Sequence, residues 1–157
     1  MFSQTTEYAL RAMAWLALTP DELVSTLALA GKTKVPPHYL AKVLQQLSAA
    51  NLIVGRRGVR GGYKLSRAPR DISLLQVVRA VAQIDRITSC PLDIPTHSHA
   101  LCSLHRRTDA AAKAVMDIYG GCSLQDLLDE PGVPTPLCAV DLGAKISVSA
   151  PHATRPE

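Results

Sequence analysis

The stretch LIVGRRGVRGGYKLSR, residues 52–67, decides the fold. Residues that favour β-strands stand at both of its ends, and between them lies a run rich in glycine and arginine. This order is typical of two strands joined by a tight connection. The stretch therefore predicts a β-hairpin with a basic tip.

Two helical patterns open the chain. Residues 3–18 place apolar side chains at helical spacing. Thr19 and Glu22 then match a capping box, in which two residues three apart satisfy each other's backbone N–H groups. This pattern predicts a second helix that runs to Ala30 and ends at Gly31.

A third helix is predicted from Pro36 to Ala50, with leucine and valine along one face. Three short helices followed by a basic hairpin are the layout of a winged helix-turn-helix, and the third helix takes the place of its recognition helix. Glutamine can pair with adenine, and an arginine among glycines can enter a minor groove. The candidate DNA contacts are His38, Tyr39, Lys42, Gln45 and Gln46 on the helix, and Arg56, Arg57 and Arg60 in the wing.

The charge distribution favours the same interpretation. Nine of the 17 Lys and Arg residues, and none of the 13 Asp and Glu residues, lie between Gly31 and Arg70. The net charge of +4 therefore conceals a basic block and an acidic remainder. Such a block binds polyanions, because each neutralised phosphate releases a counterion. A solvated basic face has the same composition and stays open as an alternative.

Helical patterns return after the hairpin. Ser73 and Gln76 form another capping pair, at the start of a fourth helix. A long helix from Ser103 is stopped by Gly120 and Gly121, and a short helix follows it. Apolar and small residues recur along the long helix in steps of three and four, a narrow seam suited to a second copy of the chain. The seam consists of Leu104, Thr108, Ala111, Val115 and Ile118.

These patterns predict a mainly α fold with a small β-hairpin wing: a winged helix-turn-helix with a long dimerisation helix. The predicted divisions are a DNA-binding domain at 1–83, a Cys/His loop at 84–102, the dimerisation helix and short terminal helix at 103–130, and a flexible tail at 131–157. The prolines and small residues of the last range indicate poor order.

The apolar N-terminal helix resembles neither a secretory signal nor a membrane span. Glu7 and Arg11 interrupt it, and no basic leader precedes it. We therefore expect a cytoplasmic protein with no membrane association. Thiols stay reduced in the cytoplasm, so clustered cysteines there suggest metal or redox chemistry.

Three stretches resemble the IscR/NsrR/RirA family of bacterial winged-helix regulators: TTEYALRAMAWLAL at 5–18, the run PPHYLAKVLQQLSAANLIVGRRGVRGGYKLSR at 36–67, and ISLLQVVRAV at 72–81. The resemblance spans about residues 1–130. It implies homodimers that bind palindromic operators, with repression as the expected direction, and in many members an iron–sulfur cluster. It also implies DNA-contacting positions at His38, Tyr39 and Arg57. Ala41 stands where some members carry a glutamate that discriminates between operators, which leaves the sequence preference open.

The resemblance also gives a role to CPLDIPTHSHALCSLH, residues 90–105. Cys90 and Cys102 match the first and last of three cluster cysteines, and His105 matches the histidine ligand of the iron–sulfur biogenesis regulators. Thr96 stands where the middle cysteine is expected. The implied cofactor is an iron–sulfur cluster, most simply a 2Fe–2S cluster.

The fourth ligand stays open. Glu7 of a partner subunit stands where other members have a carboxylate ligand, and His97 or His99 of the loop could serve instead. Glu7 and Arg11 are also spaced for a surface ion pair, which is the simpler interpretation.

Four alternatives remain. A regulator that has lost its cofactor would keep DNA binding and leave the loop without a sensing role. Cys90 and Cys102 could form a reversible disulfide, which would make the loop a thiol switch. Two cysteines and two histidines could bind structural zinc. A small thiol enzyme or metalloenzyme is a different class of function. The chain shows no phosphate loop, nucleophile elbow or HExxH motif, however, and an enzyme leaves the basic block unexplained.

Overall fold

The computed structural model of the protein describes residues 3–91 and 100–137. The chain order is α1 (Gln4–Leu18), α2 (Thr26–Thr33), α3 (Pro37–Ala49), β1 (Ile53–Arg56), β2 (Gly62–Leu65), a 3-10 turn (Pro69–Asp71), α4 (Leu74–Val81), α5 (Ser103–Gly120) and α6 (Leu124–Asp129). The predicted mainly α fold with a β-hairpin wing is confirmed.

Helix α1 is the centre of the core, because alanine, methionine, tryptophan and leucine fill its faces. Ser3 caps it by accepting a hydrogen bond from the backbone N–H of Thr6 at 3.2 Å. Helices α2, α3, α4 and α6 all pack against it. Leu16 of α1, Leu44 of α3 and Val77 of α4 are fully buried. The core therefore fixes the orientation of α3 from behind.

The start of α2 differs from the sequence prediction. Thr19 is the C-cap of α1, and its hydroxyl is buried with no hydrogen-bond partner among the described residues. The backbone N–H of Val24 donates to the carbonyl of Tyr63 at 3.0 Å, and the backbone N–H of Tyr63 donates to the carbonyl of Val24 at 2.8 Å. Because residue 24 is held as an extended bridge to the wing, α2 can begin only after it. Ser25 is the actual cap.

The end of α2 also corrects the prediction. Gly31 lies inside the helix, which continues to Thr33. Lys34 takes the left-handed conformation there, with φ of 56°. The turn into α3 is therefore made by a lysine, a residue type that sequence rules do not assign to that role.

The wing is a two-stranded antiparallel hairpin. Ile53 pairs with Leu65 at its base, and Arg56 pairs with Gly62 next to the turn. Gly58 has φ of +112°. A Cβ atom at Gly61 would lie 2.2 Å from the carbonyl oxygen of Arg56. The turn is therefore compatible only with glycine at these two positions.

The last two helices, α5 and α6, differ in how much of their surface is buried. Within the described residues, α5 has no buried side chain. Helix α6 returns to the core, where Leu124 is fully buried, and Ser123 bridges to Ser73. Of the predicted tail, Leu137 packs against the core, and residues 138–157 lie outside the described ranges. No helix in the described ranges has both the length and the apolar character needed to cross a membrane.

Candidate nucleic-acid interface and Cys/His centre

Helix α3 presents two distinct faces. Its inner face buries four apolar residues: Leu40, Val43, Leu44 and Leu47. All five candidate contacts on its outer face are exposed: His38, Tyr39, Lys42, Gln45 and Gln46. No side chain caps its first turn, so the positive end of its dipole is open to an anion.

Tyr39 has a defined environment at the start of α3. Its ring centroid lies 4.2 Å from that of His38 and 6.3 Å from that of Tyr8 on α1. Tyr39 is nevertheless 48 % exposed. The contact with Tyr8 was not predicted from the sequence, because α1 and α3 meet only in the folded chain.

The wing arginines Arg56, Arg57 and Arg60 are exposed. Arg56 and Arg57 line an open cleft of about 390 Å³ between the wing and the start of α2, where Ser25 and Thr26 also face it. The floor is close-packed backbone, since a Cβ at Gly62 would lie 2.5 Å from the carbonyl oxygen of Val24. Two arginines and two hydroxyls therefore surround a concave surface suited to an anion.

Not every basic residue of the acid-free block is free to bind a ligand. Arg67 donates to the backbone carbonyls of Asn51 and Asp71, each at 3.1 Å. Lys32 places its ammonium 5.5 Å from the ring centroid of Trp15. The basic surface thus divides into structural cations and the exposed set on α3 and the wing.

The two loop cysteines and the histidine meet in the fold. The Sγ of Cys102 lies 3.3 Å from Nδ1 of His105, and the Sγ of Cys90 lies 3.8 Å from the same nitrogen. Cys90 is buried and Cys102 is half-buried. His105 follows Cys102 by three residues, at the start of α5, so both face one site.

Each of the two sulfur–nitrogen separations is close to the spacing of two ligands on one metal ion. Sulfur and nitrogen ligands of one tetrahedral ion are about 3.5 Å apart, given bonds of about 2.3 and 2.0 Å. The two observed separations bracket that value. However, no three His, Cys, Asp or Glu side chains in residues 3–91 and 100–137 already form a group that could hold a metal ion. The three residues are therefore a converged donor set and not a complete site.

The proposed fourth ligands have different outcomes. Glu7 accepts a hydrogen bond from Nε of Arg11 at 2.9 Å on the exposed side of α1, so the ion pair expected from their spacing is present. His97, His99 and Thr96 lie outside the described residues. The choice of fourth ligand stays open.

Two other titratable groups lie near the end of α5. Burial raises the pKa of the Cys122 thiol, with smaller contributions from Asp126 and Glu130. Its thiol is therefore less nucleophilic than an ordinary cysteine. Hydrogen bonds from the backbone and hydroxyl of Ser123 hold the pKa of Asp126 below its ordinary value.

The chain that leads to Cys90 is attached to α5 by an ion pair. Arg86 donates two hydrogen bonds to Asp109, from Nε at 2.5 Å and from Nη2 at 2.6 Å. The backbone N–H of Ile87 donates to the same carboxylate at 2.9 Å. The hydrogen bond to Arg86 is the largest cause of the lowered pKa of Asp109 and of the raised pKa of Arg86. Sequence reasoning missed this contact, because nothing local marks two residues 23 positions apart as partners.

The predicted seam of α5 is open. Leu104 and Ile118 are 67 % and 69 % exposed. Thr108, Ala111 and Val115 line a cleft of about 420 Å³, whose other wall is the start of α1 and the segment after α4. A helix with exposed apolar ends and an unfilled apolar cleft beside it has an incomplete packing surface.

The sequence profile of one family, described as "Rrf2: Iron-dependent Transcriptional regulator", matches residues 2–130. The chain belongs to the Rrf2 family of transcriptional regulators. A protein of Aquifex aeolicus provisionally named as an HTH-type transcriptional regulator is 29 % identical over 132 residues, covering 82 % of this chain and 92 % of the relative. The regulator NsrR of Bacillus licheniformis is 27 % identical over 126 residues, with 78 % and 88 % covered.

Solved structures show the same fold for this Rrf2 protein. T. potens IscR superposes with a TM-score of 0.67 at 23 % identity, covering 82 % of this chain and 86 % of the other. CymR of B. subtilis, titled the global cysteine regulator, superposes with a TM-score of 0.66 at 23 % identity, covering 81 % and 95 %. These likenesses concern the fold. The family membership adds DNA binding and transcriptional regulation as the function.

Proposed function

We propose that this Rrf2 protein is a cytoplasmic, homodimeric repressor that binds a palindromic operator and responds to iron, redox state or nitric oxide through its Cys/His loop. One observation carries the DNA half. The exposed face of α3 and the wing arginines are the free part of a 40-residue block without a single acidic residue.

The DNA contacts follow from the two faces of α3. His38 and Tyr39 enter the major groove first, because the uncapped first turn leads the helix. Gln45 reads base edges, and Lys42 contacts phosphate. The wing arginines, Arg56, Arg57 and Arg60, reach the adjacent minor groove or its phosphates.

The proposed homodimer is supported by the exposed seam of α5. Leu104 and Ile118 are exposed at opposite ends of its seam, and the cleft beside Ala111 lacks a side chain to fill it. The same helix of a second copy has small residues at the matching positions, so two copies can approach closely. A twofold dimer then presents two α3 helices to two half-sites.

The sensing half rests on the convergence of Cys90, Cys102 and His105. In this proposal they hold a 2Fe–2S cluster, and the fourth ligand is Glu7 of the partner subunit or one histidine of the loop. Such a cluster supplies a redox-active, nitric-oxide-reactive centre whose potential is raised by imidazole ligation. Loading would fix the positions of Cys90, Cys102 and His105 relative to one another and so change the spacing of the two recognition helices.

A thiol switch is the second candidate. Both sulfurs lie near one nitrogen, so their separation is no more than about 7 Å, the sum of the two distances. A small backbone movement would bring them within disulfide reach. Structural zinc would use the same donors. All three candidates place the signal at the same loop and differ in what is bound.

Two measurements test the proposal. Selection of duplexes from a randomised pool should enrich a palindrome with half-sites about one helical turn apart, and no enrichment would contradict DNA recognition. Iron and sulfide analysis with visible absorption, on protein purified without oxygen, tests the cluster. Colourless, iron-free protein would remove the cluster and leave the thiol switch or zinc.

A further inference from the structure

The first part of the Cys/His loop, before Cys90, is attached to α5 at one carboxylate. Asp109 accepts three hydrogen bonds from this segment, two from the Arg86 guanidinium and one from the backbone N–H of Ile87. Its side chain is only 14 % exposed, although Arg86 is 43 % exposed. Two hydrogen bonds from a guanidinium and one from the backbone, all to the same carboxylate, fix both the position and the direction of the segment that carries Arg86 and Ile87.

This contact differs from the other ion pairs of the described chain. Those two, Glu7 with Arg11 and Asp117 with Lys113, each join residues four apart on one helix. The pair of Arg86 and Asp109 alone among them joins separate elements, 23 residues apart. It constrains tertiary structure, whereas the other two act within a single helix.

The location of Asp109 relates it to the Cys/His donor set. It follows His105 by four residues, one turn further along α5, and Arg86 precedes Cys90 by four residues. The ion pair and the contact between Cys90 and His105 therefore lie side by side. Together they close the base of the loop that carries Cys90 and Cys102.

We propose that Asp109 is a positioning residue that holds Cys90 beside Cys102 and His105. The proposal rests on the Cys/His centre proposed above. Without the carboxylate, Arg86 and Ile87 lose the three hydrogen bonds that join this segment to α5. The segment before Cys90 would then be less constrained, and the effective concentration of Cys90 at the other two donors would fall.

The first experiment measures that effective concentration without any metal. Reduced full-length protein is equilibrated in glutathione redox buffers, and the Cys90–Cys102 disulfide is quantified by peptide mass spectrometry. For Asp109→Asn we expect the equilibrium constant for the disulfide to fall about three- to tenfold. Arg86→Lys should give an intermediate value, because it keeps the charge and loses the fork.

Asp117→Asn is the matched control. It removes, from the same helix, a carboxylate whose salt-bridge partner, Lys113, also lies on α5, and whose charge acts on Arg86 only at a distance, as the smallest cause of the raised pKa of Arg86. Its disulfide constant should equal that of the wild type. Equal constants for Asp109→Asn and Asp117→Asn would overturn the proposal.

A second readout separates positioning from general stability. Alkylation of Cys90, which is 5 % exposed, should speed up in Asp109→Asn, while alkylation of Cys122 should not change. Equal acceleration at both thiols would show that Asp109 stabilises the fold as a whole, and would also overturn the proposal. If no variant forms the disulfide, this alkylation comparison decides.

The outcome is separable from that of the proposed function. The wild-type protein could bind no iron or zinc while the Asp109→Asn variant forms a less stable disulfide. That result would refute the metal sensor and support the positioning role. An iron-loaded wild type whose disulfide constant is unchanged by Asp109→Asn would retain the sensor and remove the positioning role.

Discussion

Helices α3 and α5 each have an apolar face, and they differ in whether that face is buried within the chain. Helix α3 buries Leu40, Val43, Leu44 and Leu47 inside its own chain, whereas α5, which is five residues longer, buries none. The core holds α3 rigidly, so its polar face is free for a ligand. Helix α5 leaves an apolar seam uncovered, with Leu104 and Ile118 at 67 % and 69 % exposure. One helix thus presents polar residues from an anchored position, and the other presents apolar ones.

The largest effect should come from the inner face of α3. Leu44→Ala should lower the free energy of unfolding by about 2–5 kcal/mol, because it removes a fully buried side chain and leaves a cavity. Gln45→Ala, the adjacent exposed position, should change it by no more than about 0.5 kcal/mol. Urea denaturation measures both. Similar losses would mean that α3 is not anchored as described.

Next in size is the loss of the wing arginines. Replacing Arg56, Arg57 and Arg60 together by alanine should weaken duplex DNA binding about a hundredfold at low salt and reduce the salt dependence of binding by about three phosphates. Fluorescence anisotropy across a salt series measures both effects. Alanine at Arg106 and Arg107 of α5 removes exposed cations outside the basic block, and an equal loss there would refute the assignment to the wing.

A smaller change should follow from charging the seam of α5. Leu104→Glu together with Ile118→Glu should weaken dimerisation at least about tenfold. Each subunit then loses two exposed apolar contacts and gains two negative charges at the proposed interface, where they repel those of the second copy. Sedimentation equilibrium measures the dimer dissociation constant. Leu27→Glu is the control, because Leu27 is 74 % exposed on α2. A dimer unaffected by the α5 changes would place the interface elsewhere.

The smallest effect concerns α6, which returns to the core as α5 does not. Asp126→Asn should lower the melting temperature by about 2–4 °C at pH 7 by weakening the cap at Ser123. The pKa of Asp126 is depressed, so its contribution is present above the ordinary value of 3.8 and disappears as pH falls through the lower folded pKa. Melting curves should therefore converge in acid; a constant gap would exclude the carboxylate as the cause.

The sequence predicted what is local. The capping box of Ser73 and Gln76 starts α4, and Gly121 follows the end of α5. Each rests on residues within one or two turns. The glycine-rich wing could also be predicted from the sequence, because the tight turn needs glycine at positions 58 and 61.

What was missed depends on contacts between distant segments. The predicted capping pair of Thr19 and Glu22 does not start α2. The helix begins later in the chain because Val24 forms an extended bridge with Tyr63. The convergence of Cys90 with Cys102 and His105 agrees with the family pattern, but the ion pair of Asp109 with Arg86 beside it had no local signal. The packing of α6 on α1 likewise depends on the whole fold.

In the proposed function, the Cys/His loop controls how tightly α3 and the wing bind DNA. The most direct test is the affinity of the selected operator for wild-type protein and for the Cys90→Ala, Cys102→Ala double variant, each in iron-loaded, iron-depleted, reduced and oxidised conditions. We expect the wild-type affinity to change with condition and the affinity of the variant to be constant. Affinities of the two proteins that agree in every condition would contradict this expectation.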